Sequence, residues 1–247
     1  MGSFSKLPSN SREIFMSLSH SPLIVRDGLV LCLDAANPRS YPKSGTTWSD
    51  LAGANDGTLT NGPTFDADDK GSIVFDGSND YINLGDVLDA KSGDYTFGSW
   101  SRLTSLNSSN RMIMDKRSGT DRILLYTSHT TGYIIAAIGD GSQIFLASDN
   151  IDHRGGTWRN YIFTVNRTSN LLILYRNGVL VASTDISGLG DQDNSINFLI
   201  GGGYVSGSSP NGAYHWQGNI SNASIYNRAL TADEVRQNYL ATKERYA

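Results

Sequence analysis

Cleaving a glycosidic bond with retention needs two carboxyl groups about 5 Å apart, and this chain has few residues from which to build such a pair. Glu occurs only at Glu13, Glu234 and Glu244, so the other 21 of its 24 acidic residues are Asp. Asp115 and Asp121 remain as a pair to consider, but they flank "DKRSGTD", a turn-rich stretch where carboxylates are ordinarily solvated. His20, His129, His153 and His215 are too far apart for an HExxH-type site. The lone Cys32, inside the apolar run Leu29 to Leu33, reads as a buried, inert thiol. No G-x-S-x-G elbow surrounds any serine. These residues point away from catalysis and imply no resident cofactor.

Binding chemistry is better represented. Asp34 and Asn37 in "LDAANPRSYP", with Asp76, Asn79 and Asp80 in "FDGSNDYI", could supply part of a calcium shell, although Asp76-Gly77 also makes a plain turn. The loop "GGGYVSGSSPNGAYHWQG" gathers Tyr204, Asn211, Tyr214 and His215 beside Trp216. Flat rings suit the face of a pyranose, and short polar groups suit its hydroxyls.

The elements that must position these residues are strands. Asp and 26 Gly are abundant while helix-favouring Glu is scarce, a composition of short strands joined by tight turns. Thirteen apolar or alternating runs recur between Gly28 and Tyr226, including Tyr95 to Leu103, Arg111 to Asp115, Arg122 to Thr127 and Trp158 to Val165. Asn177-Gly178 and Asp140-Gly141 carry the positive φ of tight hairpins, which predicts antiparallel neighbours at both places. Only the end reads as helix, where Thr231 and Glu234 have capping-box spacing and Val235, Tyr239 and Leu240 share a face. So many antiparallel strands call for two sheets packed face to face. The expected organisation is an N-terminal arm over residues 1–22, with Ile14, Phe15, Met16 and Leu18 as anchoring candidates, and a sandwich over 23–247. A formal charge of −4 with scattered basic residues argues against nucleic acid, and no apolar run approaches the roughly 20 residues of a membrane span. Residues 1–10 contain no stretch of signal-peptide type.

The segments "GSIVFDGSNDYINLG", "YTFGSWSRL", "WRNYIFTVNRTSNLLILYRNGVLVAST", "FLIGGG" and "WQGNISNASIYNRALTADEV" resemble, in wording and order, the laminin-G-like branch of the concanavalin A-like lectin/glucanase superfamily. The resemblance covers about residues 23–240 and implies an all-β jelly-roll sandwich of two curved antiparallel sheets with one short C-terminal helix. It also implies core positions for Trp100, Trp158 and Trp216. Glucanases of that superfamily carry paired Glu on one strand, which this chain lacks, and Ser221 stands where calcium-binding members often place Asp. The opening "GLVLCLDAANPRSYP" is similar to laminin-G-like proteins of bacteriophage virions and aquatic bacteria. That similarity implies a non-catalytic virion structural protein, a capsid decoration, tail or fibre component. Its arm would grip capsid or tail proteins or further copies of itself, and the domain would hold a cell-surface glycan. The alternative is a free carbohydrate-binding lectin or adhesin module of bacterial origin, extracellular or at the cell surface.

Overall fold

The computed structural model describes residues 22–68, 70–106, 108–204, 210 and 214–247. The anchoring candidates Ile14, Phe15, Met16 and Leu18 lie outside the described residues, as does Asn211.

Sixteen strands among the described residues form two antiparallel sheets. The first sheet runs in the order β14 (Val179–Asp185), β13 (Leu171–Arg176), β12 (Arg159–Asn166), β7 (Tyr95–Leu103), β16 (Gln217–Tyr226), β5 (Ser72–Asp76) and β4 (Thr64–Asp66). β1 (Leu29–Asp34) also pairs with β16, which is shared along its length: Gln217 to Ile220 face β5, and Asn222 to Tyr226 face β1. The second sheet runs β11 (Ile144–Asp149), β10 (Ile134–Asp140), β9 (Asp121–Thr127), β8 (Arg111–Ser118), β15 (Leu199–Ile200), β6 (Tyr81–Asn83), β3 (Gly57–Thr60) and β2 (Thr47–Trp48). The expected hairpins β13–β14 and β10–β11 are both present and antiparallel.

Alternation along each strand explains the sandwich. In β7, Tyr95, Phe97 and Leu103 enter the core while Trp100 turns outward. Phe97 stacks on Phe163 of β12 at 5.2 Å and on Phe198, just before β15, at 5.6 Å, so aromatic rings join the two sheets. Ile82, Ile113, Ile123, Leu125, Ile134 and Ile138 close the core from the second sheet.

The C-terminal helix α1 (Ala232–Thr242) begins with the predicted capping box of Thr231 and Glu234 and continues into a short 3-10 turn, Lys243–Tyr246. It lies across the outer face of the first sheet, where Val235 packs with Ile162, Tyr175, Tyr226 and Leu230. Asn238 ties three elements together. Its Oδ1 accepts from the Val25 N–H (2.8 Å), its Nδ2 donates to the Tyr226 hydroxyl (3.0 Å), and that hydroxyl donates to the Val25 carbonyl (3.0 Å). On either side of this junction Gln237 Nε2 donates to the Leu23 carbonyl (2.7 Å), and the Arg245 guanidinium grips Asp34 with two bonds of 2.7 and 3.0 Å.

Candidate functional site

β8 carries the densest chemistry of the second sheet. A bulge between Met112 and Met114 turns both Ile113 and Met114 into the core, so Met112, Asp115 and Arg117 share the outer face. On β9, Arg122, Leu124 and Tyr126 stand opposite Arg117, Asp115 and Met112 respectively, which extends that face across two strands. The Asp115 carboxylate is 0% exposed. Its Oδ2 accepts from Arg117 Nη2 at 2.7 Å and from the Tyr204 N–H at 3.1 Å, while Oδ1 has no hydrogen-bond partner among the described residues. Burial raises its pKa to about 7, against the pull of the Arg117 guanidinium. Arg117 in turn lies over the Tyr214 ring at 5.5 Å, and Tyr214 is half-buried. Carboxyl, guanidinium and phenol ring thus stack in series on the outer face of the second sheet, from a buried Asp115 to a half-buried Tyr214.

Chain geometry brings the Gly-rich loop here. A Cβ at Gly203 would lie 2.6 Å from Met112 Cγ, 2.7 Å from Asp115 Oδ2 and 3.2 Å from Tyr214 Cβ, so only a backbone without side chain fits between them. That close approach corrects two expectations of exposure. Tyr204 is 2% exposed, its hydroxyl donating to the Asn197 carbonyl at 3.1 Å. His215 is also 2% exposed; its Nδ1 donates to the Asp80 carbonyl at 2.9 Å and its ring lies 6.0 Å from that of Tyr81. Of the aromatic candidates in the loop, Tyr214 keeps an accessible ring. Trp216 is buried in the core.

The oxygen-rich loops lie in two separate places. Asp34 and Asp76 pair with Asn222 and Gln217 of the same strand, five residues and hence about 16 Å apart. Asp34 is engaged by Arg245. Asp76 accepts from the Ser78 N–H at 2.8 Å and the Asn79 N–H at 3.4 Å, and Asp80 accepts from the Asp76 N–H at 3.0 Å. Burial opposes the Asp76 charge, yet the N–H groups of Ser78, Asn79 and Asp80 outweigh it and hold the carboxyl below its usual range. Burial, with the neighbouring Asp76 charge, pushes Asp80 the other way. Among the described residues no three His, Cys, Asp or Glu side chains converge as a metal site.

Sequence reasoning missed Arg111. Its side chain is buried, and Nη1 donates to the Gly77 carbonyl at 2.9 Å and to the His215 carbonyl, while Nη2 reaches Gln217 Oε1 at 3.4 Å. It thereby fastens the Asp76 turn to the loop that carries Tyr214. An Arg opening an apolar strand, "RMIMDK", is the signal that could have marked it.

Solved structures share this architecture at low identity. The binding domain of Paraclostridial Mosquitocidal Protein 1 aligns at 17% identity with a TM-score of 0.69, over 87% of this chain and 52% of that one. The binding domain of botulinum neurotoxin serotype D gives 14% and 0.65 over 87% and 52%. A Trypanosoma rangeli sialidase in complex with sialic acid gives 16% and 0.64 over 88% of this chain and 33% of that one. The chain thus spans about half of the toxin domains and a third of the sialidase, and what is shared with them is the fold. No curated protein sequence matches. Residues 76–236 match the laminin G family model described as Concanavalin A-like lectin/glucanases superfamily. With sandwich, helix and matched segment in agreement, the chain belongs to the laminin G branch of the concanavalin A-like lectin/glucanases superfamily.

Proposed function

We propose that this chain is a non-catalytic, lectin-like module that recognises a glycan on the outer face of its second sheet. The observation that carries the reading is the Asp115, Arg117 and Tyr214 stack. A buried carboxyl fixes a guanidinium, and the guanidinium lies against a half-exposed ring, giving directional donors beside a flat apolar surface. The charged groups acting on Asp115 are the guanidinium groups of Arg117 and Arg122, which suits a fixed binding surface. Among structures that share the fold, two are toxin binding domains and one is a sialidase in complex with sialic acid, which is in keeping with a binding module and with a sugar as its ligand.

The test is a glycan array, run with and without calcium, followed by titration of each hit. Tyr214→Ala is expected to weaken binding about tenfold, and Arg117→Lys, which keeps the charge near Asp115 but loses the planar fork, by a similar factor. Unchanged affinity in both variants, or no hit on the array, overturns the reading.

Display on a virion is a second reading, favoured by where the chain enters the domain. Leu23 and Val25 are held against α1 on the outer side of the first sheet, the face of the sandwich opposite the one that carries Tyr214. An arm that grips a capsid or tail protein, or another copy, would then leave the glycan face outward. Light scattering on the chain with and without residues 1–22 is expected to give an arm-dependent oligomer. Equal monomeric masses, with no binding of either form to particles, argue against arm anchoring.

A further inference from the structure

The outer face of the first sheet carries a second aromatic group, on the opposite side of the sandwich from Tyr214. Trp100 and Arg102 alternate outward on β7. Because Arg159 pairs with Ser101, the preceding Trp158 falls beside Arg102, whose guanidinium sits 5.7 Å from the Trp158 ring centre. The C-terminal segment lays two more rings on this row. Tyr246 stacks on Trp100 at 3.9 Å with a 14° interplanar angle, and Tyr239 lies 5.8 Å from Trp100 on a 23° tilt. Trp100 Nε1 donates to Thr242 Oγ1 (2.8 Å) and the Tyr246 hydroxyl donates to Ser221 Oγ (2.7 Å), so these rings are locked.

Trp158 does not complete the stack. It is half-buried, 5.1 Å from Tyr246 and inclined at 48°, and the wedge between them opens into a pocket of about 310 Å³. Asn177, Tyr239, Lys243, Glu244 and Ala247 line the rest of it. Asn177 is fixed at the hairpin, where its Oδ1 accepts from the Asn160 N–H at 2.9 Å; this leaves its amide NH2 as the group to offer. Lys243 and Glu244 form a 3.4 Å ion pair between exposed side chains, a contact weak enough to exchange for ligand hydroxyls.

We propose that this pocket is a second sugar subsite taking one neutral hexopyranose unit, with the sugar's C–H face on Trp158 and its hydroxyls on Asn177, Lys243 and Glu244. This rests on the glycan reading above and extends it to two sites on opposite faces. Two features select a neutral sugar over an ammonium ligand, which would also suit clustered rings. Arg102 already supplies the cation at Trp158, and the Lys243–Glu244 pair leaves no unpaired carboxylate of Glu244 at the rim to attract another. The polar rim likewise disfavours a purely apolar guest.

The test follows the four Trp indole N–H signals of the full chain by NMR while a panel of methyl hexopyranosides is added, with choline as a separate probe. Trp158 is assigned from Trp158→Phe. A saturable shift of the Trp158 signal is expected with at least one pyranoside. It should be retained in Tyr214→Ala and reduced several-fold in Glu244→Gln, an exposed substitution that leaves the fold intact, while in Trp158→Ala, which lacks the reporter, the affinity of the same sugar read by calorimetry should fall about tenfold. If sugars perturb the Tyr214 face and not Trp158, the second site is wrong and the glycan reading stands. If array and titration show no sugar at either face, both fall together. A Trp158 response to choline but not to pyranosides overturns the assigned ligand class.

Discussion

Gly218→Ala is expected to destabilise the domain by about 3 kcal/mol or more, lowering the melting temperature by roughly 6–12 °C for a chain of this size. Gly218 sits where three strands meet, paired with Phe75 of β5 on one side and Leu103 of β7 on the other. Its φ is +143°, and an added Cβ would lie 2.1 Å from the Arg102 carbonyl oxygen and 2.9 Å from the Thr104 nitrogen. Both are backbone atoms inside a sheet, so neither can swing aside as a side-chain end would. Gly45→Ala is the control. Gly45 also has positive φ, +94°, but nothing lies within 4 Å of its virtual Cβ, so that variant should lose only the smaller conformational cost, about 1 kcal/mol. Thermal melts of the two variants side by side check the claim, and equal losses would mean that the crowding at Gly218 relaxes freely.

A second large effect should appear as a pH dependence. Burial raises the Asp115 carboxyl from 3.8 in the unfolded chain to about 7 in the fold. Between those values the folded state holds a proton that the unfolded state has released, so stability falls as pH rises through the window, by as much as about 4 kcal/mol in total. Asp115→Asn cannot ionise. Its stability should therefore gain on the wild type from about pH 4 and level off above about pH 7. His153, buried beside Asp149 and Arg176 with its pKa pushed down by burial and by the Arg159 charge, acts in the opposite direction. It destabilises the fold as pH drops below about 6.5, in both proteins alike, so the difference between their denaturation curves isolates Asp115. Parallel curves would show that Arg117 keeps Asp115 charged throughout.

Local chemistry was legible in the sequence wherever a few adjacent residues determine the outcome. Asn177-Gly178, Asp140-Gly141 and the Thr231 capping box act over two to four residues, and each is found where expected. The long strands were legible for the same reason, since period-two alternation is written in each. β2, β3 and β4 were missed: with two to four residues each, they are too short to show a period and exist because β3, β6 and β5 respectively offer them an edge. The sites depend on distant partners and were correspondingly obscure. Tyr204 follows three glycines and reads as a surface residue, but its N–H is bound to an aspartate 89 positions away. Trp158 reads as core, and its half-exposed ring depends on Tyr246, which arrives from the far end of the chain. Asp115 was noticed only as half of a catalytic pair, because nothing in "MIMDKRS" reveals the bulge that turns it outward with Arg117.

The clasp formed by Leu23–Gln237, Val25–Asn238 and Asp34–Arg245 has a mechanical consequence. Residue numbers rise together on both partners, so the segment entering the domain and the segment closing it run side by side in the same direction. Tension applied between Leu23 and Ala247 would slide the two past each other instead of peeling them apart. The three contacts would then share the load, where a peeling geometry would break them one at a time. A domain held in this way keeps its sheets in register when its two ends are pulled apart.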